Sequence, residues 1–146
     1  MNLKTPIFLT QAFAQVCGEG QVINLVDSKV AQNQYQYAIY LLSKKALAEF
    51  TKMAAVEFAP GIRVNGVSPG IIILDAPKDV ADPEDYFKWR LDGVPLKRQG
   101  ALKNITDTVL FFVDNDYITG QIIAVDGGES ITNVGLNAAA YEPRRG

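Results

Sequence analysis

The sequence predicts an α/β fold with an open parallel sheet, and three observations predict it. Short, mostly apolar runs of strand length recur at 21–26, 62–67 and 120–125. Between the first two lies a stretch free of glycine and proline, 35–58, rich in alanine and leucine, which reads as a long helix. Strand, helix and strand in that order imply a right-handed parallel crossover. A composition of 48% hydrophobic and 21% charged residues puts the 146-residue chain in the range of one ordinary folded domain.

Taken in order, residues 3–16 place Leu3, Ile7 and Ala14, and Phe8, Ala12 and Val16, at helical steps, with Pro6 in the first turn, where it is tolerated. Gly18-Glu19-Gly20 breaks this helix ahead of the first strand, and a polar loop, 27–34, follows the strand. Ala59-Pro60-Gly61 stops the long helix. The second strand ends in a Ser68-Pro69-Gly70 turn, followed by the apolar 71–74. An acidic, proline-bearing loop, 75–82, leads into a short lid-like helix from Pro83 to about Leu91; a prolyl ring followed by Glu84 and Asp85 suits a helix start. A further helix spans 104–114, and the last strand is ended by Asp126-Gly127-Gly128. Residues 1–132 therefore read as one domain, and 133–146 as a surface tail with little periodicity.

Charge and composition exclude several classes of function. A net charge of −2 gives no basic field for nucleic acid or an anionic membrane, and no apolar run is long enough to span a bilayer. With one cysteine, Cys17, and no histidine, neither an intrachain disulfide nor a cysteine/histidine zinc site is expected, which points to a reducing, cytoplasmic setting and no metal. The start has the outline of an export signal, but Gln11 and Gln15 interrupt it and Val16 is a poor residue before a cleavage site.

The segment Tyr40-Leu41-Leu42-Ser43-Lys44 resembles the Tyr-x-x-x-Lys motif of the short-chain dehydrogenase/reductase family, including the serine often found before the lysine. Alone, this spacing is equally that of an amphipathic helix with a solvated lysine. Other elements recur in family order. Asp27 stands at the offset of the family's catalytic serine, and the segment from Asn2 to Phe8 is similar to the start of the helix that bears the active-site asparagine. Arg63-Val64-Asn65-Gly66-Val67-Ser68-Pro69-Gly70 is similar to the segment that contacts the nicotinamide, and 119–128 to the family's last strand. The resemblance covers residues 2–131.

It implies a Rossmann-like doubly wound parallel sheet, of which the chain carries the C-terminal portion only. No counterpart is found for the family's N-terminal βαβ half with its glycine-rich phosphate loop. Gly18-Glu19-Gly20 precedes a strand instead of following one and lacks a third glycine. Aspartate in place of the serine is a feature of pteridine reductases and the related dihydromonapterin reductases. The resemblance therefore implies reduction of a pterin or dihydrofolate-like substrate by NADPH rather than NADH. The implied catalytic residues are Tyr40, Lys44, Asp27 and Asn2. Tyr40, Lys44, Pro69, Gly70 and Ile71 are implied against the cofactor, and Asp27, Ser28, Tyr86 and Trp89 against the substrate.

Elementary chemistry says why such residues are needed. Reducing a C=O or C=N bond takes a hydride, which a nicotinamide carries, and a proton, which the protein must supply. A free phenol, with pKa about 10, is a sluggish proton donor at neutral pH, and a nearby cation lowers that value. Lys44 lies one helical turn from Tyr40 on the same face, so the expectation is an acidified phenol.

Each residue also has a plainer reading. Asn2 would cap the first helix; Asp27 would cap the following loop, with Ser28 shifted into the catalytic role; Pro69 and Gly70 would form a simple turn; Tyr86, Phe87 and Trp89 would be packing residues. The helix at 35–58 has apolar residues on more than one side, which predicts burial by a second copy in a dimer or tetramer. A complementing N-terminal segment is the other partner expected, since a three-stranded sheet leaves an open edge. Two further functions stay open: a generic 3-oxoacyl or carbonyl reductase, and a catalytically silent half-domain that acts only through assembly.

Overall fold

Apolar strands flanked by amphipathic helices collapse into a sheet with helices packed on it, and the computed structural model describes this arrangement for residues 2–33, 37–78 and 80–132. Helix α1 (Lys4–Val16) leads to strand β1 (Gly20–Leu25), a 3₁₀ turn (Ser28–Ala31) and helix α2 (Ala38–Glu57). Strand β2 (Ile62–Pro69), helices α3 (Pro83–Asp92) and α4 (Leu102–Asp114), strand β3 (Ile122–Val125) and a 3₁₀ turn (Glu129–Ile131) complete it. The sheet is parallel in the order β1-β2-β3, with Val22 opposite Val64 and Ser68 opposite Ala124. This is the C-terminal portion of a Rossmann-like sheet. Tyr35 and the tail 133–146 lie outside the described residues.

Central position explains the burial of β2, where Ile62, Val64 and Val67 are almost wholly enclosed. Around Ile62 and Val64 pack Ala54 and Ala55 of α2, joined by Phe13, Val22, Phe50 and Phe58. Polar groups in this interior are paired: the Asn24 amide donates to Thr51 Oγ1 at 2.9 Å, and that hydroxyl donates to the Leu47 carbonyl at 2.8 Å.

Element ends follow local chemistry. Pro83 opens α3 and the Asp82 carboxylate accepts from the Glu84 and Asp85 N–H groups at 3.0 and 3.2 Å, covering donors that no helical turn can reach. Helix α4 begins two residues before the expected Asn104, whose Oδ1 reaches back to the Ala101 N–H at 2.8 Å. Strand β3 begins later than the apolar run suggests because Gly120 turns the chain at φ 74°. Strand β2 runs on through Pro69, two residues past its expected end at Val67 and into the expected turn.

Both outer strands keep one unpaired edge among the described residues. Along β1 that edge, with α1 and α2, bounds a groove of about 570 Å³. The outer face of α2 is also uncovered, with Ile39, Leu42, Met53 and Val56 all exposed.

Candidate active site

A parallel sheet delivers the carboxyl ends of its strands to one edge, and the residues just past β1 and β2 meet there. Val26, which follows β1, donates its N–H to the Val67 carbonyl at 2.8 Å, so Asp27 and Pro69-Gly70 leave the sheet side by side. Asp27 is extended, at φ −167° and ψ 139°, and caps the 3₁₀ turn: its Oδ1 accepts from the Lys29 N–H at 2.8 Å. Its second oxygen is left for another partner. Tyr40, in the first turn of α2, donates its phenolic O–H to Asp27 Oδ2 at 2.5 Å. The loop-cap reading of Asp27 and its meeting with Tyr40 thus coexist on the two oxygens of one carboxylate.

One turn further along α2, the Lys44 ammonium donates to the Leu25 carbonyl at 2.8 Å and lies 6.0 Å from the centre of the Tyr40 ring. The last carbonyl of an edge strand needs a donor, and a lysine on the adjoining helix provides it. Asn2 lines the β1 groove together with Lys44 and Leu25. It does not cap α1: Leu3 holds the cap position and no side chain bonds there.

The electrostatics differ from the sequence expectation in one respect. The phenol of Tyr40 is pushed above the ordinary tyrosine pKa, first by burial, then by its hydrogen bond to Asp27 and by that carboxylate's charge. Lys44 is pulled below the ordinary lysine value by burial, partly opposed by the attraction of Asp27. The expected acidification is therefore corrected: the carboxylate touches the phenol, while the ammonium faces a carbonyl.

Other expected site residues fall in varied places. Ser28 is 4% exposed and starts the 3₁₀ turn, so it is walled in while Asp27 meets the phenol. The Gly70 N–H is not bare, since it donates to the Val125 carbonyl at 3.0 Å, and the Ile71 carbonyl accepts from Gly100 N–H at 2.9 Å. Arg63 and Asn65 face away from this edge. Arg63 donates to the carbonyls of Phe112, Asn115 and Ile118 at 2.9 to 3.1 Å, and Asn65 donates to Ile118 at 2.9 Å. These two residues hold the end of α4 and the approach to β3. On α3, Tyr86 and Trp89 have ring centres 5.9 Å apart.

Sequence reasoning missed Gln32. Its amide donates to the carbonyls of Glu129, Ser130 and Thr132 at 3.4, 3.3 and 3.1 Å, tying the turn that begins beyond Asp27 to the turn that follows β3. No local pattern marks a glutamine for a partner about one hundred residues away. Among the described residues no helix is long and apolar enough to cross a membrane, and no group of three His, Cys, Asp or Glu side chains is placed to hold a metal ion.

Comparison with known proteins bears on what this edge does. Residues 1–130 match the family model described as Enoyl-(Acyl carrier protein) reductase. The chain is 37% identical over 144 residues to pteridine reductase 1 of Leishmania tarentolae, covering 90% of this chain and 48% of that protein. It is 42% identical over 116 residues to a 7alpha-hydroxysteroid dehydrogenase of Paraclostridium sordellii, covering 77% and 43%. Among solved structures, FolM alternative dihydrofolate reductase 1 from Brucella canis, complexed with NADP, superposes with a TM-score of 0.79 at 35% identity, covering 90% of this chain and 51% of that one. The chain spans about half the length of the curated relatives it matches.

Proposed function

This chain belongs to the short-chain dehydrogenase/reductase family, and from that premise we propose that residues 1–132 form the catalytic half of an NADPH-dependent reductase acting on a pterin or dihydrofolate-like C=N bond. The observation that carries the proposal is the 2.5 Å contact of the Tyr40 phenol with Asp27, one helical turn from Lys44. The likeness to a pteridine reductase and to a dihydrofolate reductase complexed with NADP supports the same substrate class and cofactor.

The donor set at the carboxyl edge fits a nicotinamide riboside in chemistry. Tyr40 and Lys44 offer a hydroxyl and an ammonium to its ribose hydroxyls. Pro69, Gly70 and Ile71 offer backbone groups to its carboxamide, with the Gly70 N–H excepted because Val125 takes it. NADPH, when bound, supplies the hydride. The remaining work belongs to the chain's own residues.

Tyr40 keeps its proton through neutral pH, because burial and the Asp27 carboxylate both oppose the phenolate. A pterin amine or protonated ring nitrogen is a donor complementary to Asp27. Binding one would draw the carboxylate's charge off the phenol and free the O–H to turn toward the substrate atom that accepts the proton. As the proton leaves, the Lys44 ammonium stabilises the phenolate left behind. Asn2, on the groove beside Lys44, would orient a water that returns a proton to Tyr40. Tyr86 and Trp89 would stack on the flat ring.

A second copy of the chain is the partner that fits the exposed apolar face of α2, and a preceding segment of the same protein would pair with the β1 edge. The test of function is NADPH oxidation with dihydrobiopterin, with dihydrofolate and with a 3-oxoacyl thioester. Turnover of the pterins, lost in Tyr40→Phe, is the expected result. Preference for the thioester would end the pterin assignment in favour of a generic carbonyl reductase, to which the 39% identity with a 3-oxoacyl-[acyl-carrier-protein] reductase of Staphylococcus epidermidis gives weight.

A further inference from the structure

Glu129 is 4% exposed, a rare situation for a carboxylate, and the mechanism above makes no use of it. It lies in the turn directly after Gly127-Gly128, both of which adopt left-handed φ, 64° and 90°, and so bend the chain back under α3. A Cβ on Gly127 would meet the Val94 side chain at 2.8 Å, and one on Gly128 the Pro95 ring at 3.0 Å. Bare backbone at both positions is what lets the segment that follows α3 sit against this turn.

Within that contact, one Glu129 oxygen lies 3.6 Å from the Arg90 guanidinium, and the two side chains are only 5% and 17% exposed. The same guanidinium stands 5.9 Å from the centre of the Trp89 ring, and Trp89 in turn is 5.9 Å from Tyr86. On its other side the Glu129 backbone carbonyl accepts from Gln32, whose own turn is capped by Asp27. A buried anion therefore stands between the aromatic face of α3 and the turn anchored by the residue that holds Tyr40.

We propose that Glu129 is a positioning residue: paired with Arg90, it clasps α3 to the turns at the carboxyl edge of the sheet and fixes Trp89 and Tyr86 where a flat substrate would be covered. The catalytic use of that cover rests on the reductase reading; the clasp itself does not. Burial holds the Glu129 pKa above the ordinary carboxylate range, against the attraction of Arg90 and Lys29, while Asp126 and Asp27 add repulsion. A buried carboxylate retained in such surroundings needs its cationic partner, because removing that partner leaves an uncompensated charge.

Trp89 is the only tryptophan in the sequence, so its emission reads the position of α3 directly. The experiment compares acrylamide quenching of Trp89 in the unaltered chain, in Glu129→Gln and in Arg90→Gln, with far-ultraviolet circular dichroism as the control for folding. The clasp predicts at least a twofold rise in quenching in either variant, with the helix signal kept, and no further rise in the double variant, since both substitutions break one contact. Unchanged quenching in a folded single variant, or additive changes in the double, would overturn it. Should Glu129→Gln fail to fold, Arg90→Gln at the more exposed end carries the same decision. Should both fail, amide exchange on the unaltered chain decides: α3 protected as strongly as α4 supports the clasp, and α3 exchanging as a free helix refutes it. In the reductase assay, Glu129→Gln raises KM for the pterin and leaves kcat within a few-fold. Absence of any turnover would count against the reductase reading while the fluorescence result stands by itself.

Discussion

The Tyr40 phenol donates to a carboxylate oxygen of Asp27 at 2.5 Å, across 13 residues and two elements. The strand end and the first turn of α2 must both be in place for that contact. It follows that the site is assembled by the β1–α2 crossover and not by the helix alone.

Replacing Tyr40 by phenylalanine removes the proton donor and leaves the ring. Turnover of the reducible substrate is expected to fall by about 10²- to 10⁴-fold, the usual contribution of general acid catalysis. Tyr40 is 36% exposed, so the melting temperature should hardly move. Steady-state rates and a thermal scan on the same preparation check both halves of the statement.

The raised phenol pKa has a definite sign in stability. A tyrosine that holds its proton more tightly when folded contributes stability that is fully present below the unfolded value of about 10 and is lost as pH rises above it. Tyr40→Phe should therefore flatten the decline of stability in strong alkali. Difference titration of tyrosinate absorbance against this variant should show Tyr40 ionising after an ordinary tyrosine. In Asp27→Asn its ionisation moves back toward the ordinary value.

Lys44→Met keeps most of the stem while deleting the ammonium that donates to Leu25. A higher KM for NADPH together with a lower kcat is expected, because the same cation would serve the ribose and the phenolate. Because burial lowers its pKa, Lys44 should also react with an amine-directed reagent at a lower pH than the lysine of a short unstructured peptide labelled alongside it. Peptide mapping after brief labelling reads that order.

Arg63→Met leaves the carbonyls of Phe112, Asn115 and Ile118 without their shared donor. A loss of about 1–3 kcal/mol is expected from urea unfolding, the cost of stranding partly buried acceptors. The KM for NADPH should stay unchanged in the folded fraction, since this guanidinium faces α4 and not the sheet's carboxyl edge. A change in cofactor affinity with stability intact would contradict that placement.

Val56→Asp puts a charge on the uncovered face of α2, where Val56 is 81% exposed. If a second copy covers this face, sedimentation should show the unaltered chain as a dimer or larger and the variant shifted toward monomer. A monomeric unaltered chain would remove α2 as an association surface.

Much of this molecule was written locally. Helix and strand order, the parallel crossover and the approximate bounds of α1, α3 and α4 follow from periodicity, glycine and proline placement and the Asp82-Pro83 start, because these are effects of neighbours in the chain. The spacing of Tyr40 and Lys44 on one helical face was legible for the same reason. What the residues past β1 would touch was not. Asp27 had two readings in the sequence, and the tertiary structure gave one oxygen to the turn and the other to the phenol. The direction of the Tyr40 shift was inverted for a related cause: helical spacing counts Lys44 as a neighbour, whereas burial and the carboxylate brought in by the crossover outweigh it. Likewise Arg63 and Asn65 sit inside a cofactor-like motif yet bond α4 and its loop, about fifty residues on. Pairings of that kind, and the burial of Glu129 against Arg90, depend on distances set only once the sheet has brought distant segments together, and no local pattern carries them.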